Sequence, residues 1–220
     1  MPNILAIDTS SEVCSLALKI DEELFSFHKL SPRQHTENIM KLIQDLFNVS
    51  CSKLSDLDAI AVGIGPGSYT GIRLACSTAQ GLAYSQNLPA IAVSSLEIIA
   101  TSASKIYSDH DMVVLLKADS KHLYFSHFEQ ASNSLDLIQK EIIEPSQLDI
   151  SKFPDNTVFL GNGCEMIKEL DNKKLVENNY PDATVLISIA ERDLLKGKKV
   201  LPERILPDYL SDEKEWESKL

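Results

Sequence analysis

The chain has 220 residues, 44% of them apolar and 24% charged, which argues for a folded protein of one large or two small domains and against a disordered chain. Its formal charge of −11 argues against unaided binding of nucleic acid, which needs clustered lysine and arginine to displace counterions; the "KGKK" run at Lys196–Lys199 is diluted by acidic neighbours. Cysteines 14, 51, 76 and 164 form neither a CxxC pair nor a zinc spacing, and no stretch reaches the roughly 20 apolar residues of a membrane helix, so a cytoplasmic protein with reduced thiols is expected.

The opening "MPNILAIDTS" runs into a strand at Ile4–Ile7 with no secretory leader pattern. "VCSLALKI" (Val13–Ile20) and "ELFSFHKL" (Glu23–Leu30) continue it as an antiparallel meander, with turns at Asp8–Ser11 and Asp21–Glu22. Pro32 punctuates, and Thr36 is the expected N-cap of a helix running to about Asn48. "LDAIAVGIG" (Leu57–Gly65) is apolar on both faces and reads as a buried strand. A helix from Gly71 to about Gln86, a strand at Ala90–Ser95 and a helix from Leu96 to about Ser104 complete the first half. Met112–Asp119 and His122–Glu129 read as a hairpin, and Thr157–Gly163 as a strand followed by a helix to about Leu170. Thr184–Gly197 reads as a helix and Ile205–Leu210 as a last extended piece. The expected division is an N-terminal lobe at 1–103 and a smaller lobe at 104–220, whose last helix or tail packs back on the first.

The stretch "GIGPGSYTGIRLACSTAQGLA", Gly63–Ala83, has glycines spaced as in a phosphate cradle between strand and helix. It fails GxxxxGK[ST] for want of the lysine, and it fails GxGxxG because Ser68 stands in the third glycine's place. "DTSS" (Asp8–Ser11) forms a turn that needs no ligand. Histidines 28, 35, 110, 122 and 127 make no HExxH or HxxxH, GxSxG is absent, and His122 and His127 point to opposite faces of a strand.

Charge distribution says more. From Ala59 to Leu96 the only charged side chain is Arg73, where about nine would be expected at the chain's average. The polar stripe of the second helix is only Arg73, Ser77, Gln80 and Tyr84, and the rest is small or apolar. In the first helix, apolar residues at 39, 40, 42, 43, 46 and 47 cover an arc of roughly 160°, more than the ~100° that packing on one sheet requires. The surplus is open to two readings, cover by the protein's own second half or a partner.

These residues resemble the bacterial TsaB (YeaZ) family. The resemblance is carried by "ILAIDTSSEVCSLAL" (Ile4–Leu18), "QHTENIMKLI" (Gln34–Ile43), the glycine stretch, "PAIAVSSLEIIA" (Pro89–Ala100), "GNGC" (Gly161–Cys164) and "PDYL" (Pro207–Leu210). It implies an α/β fold of the actin-like ATPase and sugar-kinase kind, with two related lobes and mixed sheets. It also implies a non-catalytic role in making threonylcarbamoyladenosine beside the tRNA anticodon. In that pathway TsaC makes threonylcarbamoyl-adenylate, the TsaD paralogue transfers the group to tRNA, and the ATPase TsaE joins the complex. TsaD relatives carry a metal-binding HxxxH after the glycine loop; "SLEII" places Ser95 and Ile99 there, and neither can replace an imidazole ligand. No metal and no cofactor are therefore expected.

By position, the family's helix-on-helix contact falls on Thr36–Phe47 and Ile72–Gln86. The partner-binding residues expected are Ile39, Leu42, Ile43, Leu46, Leu74, Ala75, Thr78, Leu82 and Ala83, with a symmetric homodimer forming on the same surface when TsaD is absent. A charge at Leu82 or Ile43 is expected to break the complex without unfolding the monomer. Two stretches depart from the family: Asp119–Lys121, where "DAR" is common, and "YLS" at Tyr209–Ser211, where "YLR" is common. The alternatives are a nucleotide hydrolase of the same fold, with Arg73 alone to clamp phosphate, and a metal-independent peptidase, for which no nucleophile set is visible.

Overall fold

The computed structural model describes residues 1–30, 35–131, 134–168, 170, 174–176 and 179–210, and places the side chains from residue 39 onward in the first helix. Pro32 and Ser211 lie outside that description, whereas Thr36 falls inside the first helix, which already begins at His35, so Thr36 is not its N-cap.

The chain forms two compact units, Met1–Ile98 with Tyr180–Pro207, and Ile99–Asn179 with 208–210. A single cut at 103/104 divides the chain differently, because 180–207 belong to the first unit.

In the first unit, β1 (Ile4–Asp8), β2 (Val13–Ile20) and β3 (Glu23–Leu30) form the antiparallel meander. Parallel strands β4 (Ala59–Gly63) and β5 (Ala90–Val93) extend the sheet on the other side of β1, giving the order β3-β2-β1-β4-β5. β1 and β4 are buried throughout because helices cover both faces. On one face, Leu5, Ile7, Leu16, Ile60 and Val62 pack against α1 (His35–Val49) and α2 (Tyr69–Gln86). On the other, Ala6, Ala17 and Ala61 leave room for α4 (Ala183–Leu195), which follows α3 (Ser95–Ser104) in the chain. Ser15 Oγ of β2 accepts the Ala183 N–H at 2.8 Å and so ties the start of α4 to the sheet. His28 Nδ1 lies 2.9 Å from the same hydroxyl.

The second unit repeats the plan. β6 (Met112–Lys117), β7 (Leu123–Ala131) and β8 (Ser134–Ile143) are antiparallel, and β9 (Val158–Leu160) and β10 (Lys174–Val176) add in parallel, in the order β10-β9-β6-β7-β8. Meander plus two parallel strands, made twice, gives the two related α/β lobes with mixed sheets that the sequence led us to expect.

Several boundaries differ from expectation for identifiable reasons. α2 begins at Tyr69, not Gly71, because Ser68 is its cap and accepts the Gly71 N–H at 3.3 Å. Among the described residues no α-helix follows Gly163: its N–H donates to Leu115 O at 2.9 Å, and a 3-10 turn at Cys164–Met166 gives way to extended backbone at Ile167, with 3-10 geometry again at Lys168 and Leu170. β8 carries little alternation because most of it is exposed. Ile205–Leu210 forms no strand; it follows a 3-10 turn at Pro202–Arg204, and Ile205 is buried in the core beneath α1 and α2.

Candidate functional site

Two features of the first unit bear on function, the glycine loop after β4 and the outer surface of α1 and α2.

The loop lies directly on the turn after β1. The Ser68 N–H donates to Ser10 O at 2.7 Å, and Thr9 Oγ1 donates to Gly71 O at 2.7 Å. A Cβ on Gly71 would sit 1.9 Å from Thr9 O, and one on Gly63 would sit 1.8 Å from Asp8 Oδ2. Glycine is required there so that loop and turn can touch. Gly67 likewise abuts the turn, where an added Cβ would sit 2.2 Å from Ser10 O. Arg73, the one cation nearby in sequence, stacks its guanidinium 3.3 Å from the Tyr69 ring centroid.

Asp8 is fully buried at the end of β1. Its Oδ1 accepts from the Ser10 N–H at 2.9 Å and the Ser10 hydroxyl at 2.8 Å. Ser95, the first residue of α3, places its hydroxyl 3.3 Å from Asp8 Oδ2 and 2.9 Å from Ser10 Oγ. Burial pushes the carboxyl up to about 6 even though the hydrogen bonds from Ser10 and Ser95 pull it down. The backbone N–H of Ser95 donates to Gly65 O at 2.8 Å, which fixes the loop from the α3 side.

Ser95 is thus a hydrogen-bonding member of this cluster, and Ile99 is buried. Neither offers a donor set that fits a metal, and no group of three histidine, cysteine or carboxylate side chains positioned to hold one occurs among the described residues. The remaining histidines do not converge. His122 pairs with Asp119 at 2.9 Å at the β6–β7 turn, while His127 faces Asp111 at 3.8 Å. In the departing Asp119–Lys121 stretch, Asp119 also accepts the Lys121 and His122 N–H groups, closing the hairpin. All four cysteines are free, and burial together with the Asp8 carboxylate raises Cys14 to about 11 and Cys76 to about 12.

The helices correct the expected contact residues. Ile39, Ile43, Leu46, Ala75 and Ala83 are buried in the core between these helices and their own sheet, so they do not line an outer surface. Leu42, Leu74, Thr78 and Leu82 are half-buried on the shoulders of the two helices. Sequence periodicity could not divide these sets, because both sides of the apolar arc carry the same residue types. The outward stripe of α2 consists of Thr70, Arg73, Ser77, Gly81 and Tyr84, flanked by Tyr69; α1 adds Met40. Tyr84, Tyr69 and Met40 are 75%, 63% and 55% exposed. Gly81 is open: a Cβ there would meet nothing within 4 Å. Tyr69 and the unfilled glycine were missed in sequence, whereas Tyr84 already stood in the expected polar stripe, and the near-absence of charge from Ala59 to Leu96 pointed to this helix. Self-cover is seen at α2. Pro202–Arg204 packs against α2, and α4 covers the opposite face of the sheet.

Among the described residues no helix is long and apolar enough to cross a membrane. The family model of TsaD, tRNA N6-adenosine threonylcarbamoyltransferase, matches residues 29–209. The tRNA threonylcarbamoyladenosine biosynthesis protein TsaB of Escherichia coli strain K12 is 32% identical over 97% of this chain and 96% of its own length. The protein of that name from Haemophilus influenzae is 30% identical over 97% of this chain and 95% of its own. The structure of YeaZ from Pseudomonas aeruginosa superposes with a TM-score of 0.86 at 29% identity, covering 96% of this chain and all of that one. By identity sustained over nearly its full length, the chain belongs to the TsaB (YeaZ) family.

Proposed function

We propose that this chain serves the synthesis of threonylcarbamoyladenosine in tRNA as a non-catalytic subunit that docks the outer face of α1 and α2 on a TsaD paralogue. The observation that carries this reading is the exposed surface of α2. It is long, bears one charged side chain, displays two large tyrosines and leaves Gly81 uncovered. A helix facing only water has no reason to forgo charge along its whole outward side. A glycine in a helix interior costs about 1 kcal/mol relative to alanine, a loss that a close helix-to-helix approach can offset. The same face of a second copy is the occupant when the paralogue is absent.

The non-catalytic part of the reading is supported by the close packing of the glycine loop on the Asp8–Ser11 turn, which engages the Ser68 N–H and the Gly71 carbonyl. On this reading the protein uses neither metal nor cofactor. TsaE and tRNA then engage the assembly, with the TsaD subunit performing the transfer.

The test mixes the chain with the TsaD and TsaE of its own organism, threonylcarbamoyl-adenylate as donor, ATP and tRNA, and follows threonylcarbamoyl transfer to the tRNA. Calorimetric titration of the isolated chain with ATP and ADP runs beside it. Transfer that needs this chain, with no heat of nucleotide binding to the chain alone, is the expected result. Micromolar, Mg²⁺-dependent binding to the isolated chain would favour a nucleotide hydrolase and contradict the proposal.

A further inference from the structure

We propose that in mildly acidic solution Asp8 is a neutral carboxylic acid whose proton closes a hydrogen-bonded ring with Ser95 and Ser10, and that this ring seats the glycine loop and the start of α2. The ring follows from counting hydrogens. Ser10 and Ser95 each have one hydroxyl proton to give. The Ser10 hydroxyl is spent on Asp8 Oδ1 at 2.8 Å. The Ser95 hydroxyl lies nearer to Ser10 Oγ, at 2.9 Å, than to Asp8 Oδ2, at 3.3 Å. With the Ser95 proton given to Ser10, Oδ2 is left in a fully buried position without a donor, a costly state for a charged oxygen. A proton on Oδ2 reverses this. The acid donates to Ser95 Oγ, Ser95 donates to Ser10 Oγ, and Ser10 donates back to Oδ1, so that every hydroxyl both gives and accepts.

Among the described residues Asp8 pairs with no lysine, arginine or histidine; its hydrogen-bond partners are two serines and a backbone N–H. β4 presents Gly63, whose close approach to Oδ2 leaves no space for a side chain between them. α3 presents Ser95. The titratable groups that face Asp8 are Cys14 from β2 and Cys76 from α2, both thiols raised by burial and by the Asp8 charge itself. The upward displacement of the Asp8 carboxyl to about 6 by burial agrees with the ring but is independent of the hydrogen count.

The ring reaches beyond Asp8 through its neighbours. Ser10 O holds the Ser68 N–H, and Ser68 caps α2, while Ser95 N–H holds Gly65 O. Loss of the proton therefore loosens the seat of α2 at its first turn. Because the folded carboxyl lies above its unfolded value of 3.8, the stabilisation is complete below about pH 4 and is lost as pH rises through about 6.

The test is a side-chain carboxyl NMR titration of the full chain between pH 4.5 and 8, with the amides of Ser10, Ser68, Gly71 and Ser95 followed in the same samples. The carboxyl and these amides are expected to shift together with a midpoint near 6. Asp8→Asn keeps an acceptor for Ser10 and gains a donor toward Ser95, so the step should vanish from its amides. In urea unfolding, the folding constant of the parent should fall by about tenfold more than that of Asp8→Asn between pH 5 and pH 8. A carboxyl that titrates at or below 4 overturns the proposal, and so does an Asp8→Asn chain that retains the amide step. If Asp8→Asn does not fold, the parent titration alone decides. None of these readouts requires a partner, so they stand or fall apart from the docking role of α2.

Discussion

Replacing Gly81 by leucine is expected to leave the protein folded while lowering its affinity for a TsaD paralogue by a hundredfold or more. In the free chain an added Cβ at this position meets nothing within 4 Å, and the residue is exposed in the middle of an 18-residue helix. Leucine there relieves the intrinsic penalty of glycine, about 0.8–1 kcal/mol, so the melting temperature should stay level or rise by a few degrees. Packed helices approach to roughly 8–10 Å between axes, and a branched side chain at the crossing holds them further apart. Sedimentation of the mixed proteins reads the association, and calorimetric melting of the isolated variant reads the fold. Gly81→Ala should be intermediate. If Gly81→Leu associates as tightly as the parent, no partner approaches α2 closely at this point.

Ile43→Asp is expected to unfold the protein, whereas Leu82→Asp should fold and fail to associate. Ile43 is 2% exposed and packs within the core of β1, β2, β4, α1 and α2. A carboxylate in that position loses the apolar contacts and buries an unpaired charge, a combination that costs more than about 4 kcal/mol. That is a large share of the roughly 5–15 kcal/mol that holds a domain folded. Leu82 lies on the shoulder of α2, half-exposed, and its charged end can turn to water. Circular dichroism separates the two outcomes before any binding experiment. A soluble, cooperatively melting Ile43→Asp chain would mean that α1 sits less firmly on its sheet than the structure shows.

The order of elements through α3 was legible because strands buried on both faces lack polar residues and the turns carry Asp, Ser, Gly or Pro. β8 was not legible, since an exposed edge strand such as "SLDLIQKEII" has no alternation to read. The two helices proposed to dock stood out in sequence, α2 by its missing charge and α1 by its wide apolar arc, but the outward residues on them did not. Ile39 and Leu42, or Ala75 and Thr78, differ in which side of one helix they occupy, and only the position of the sheet decides that. The glycine pattern was ambiguous for another reason. A cradle for phosphate and a close seat for one's own Asp8–Ser11 turn both require glycine, and the sequence carries no mark of which is present.

The most direct measurement is hydroxyl-radical footprinting of side chains in the chain mixed with its organism's TsaD. Met40, Tyr69 and Tyr84 are exposed on the outer surface of α1 and α2 and label readily when uncovered. Docking on this face predicts that labelling of all three falls on complex formation, while exposed Leu137 and Ile138 on β8 label as before. A complex that forms with Met40, Tyr69 and Tyr84 labelled as in the monomer would contradict the account.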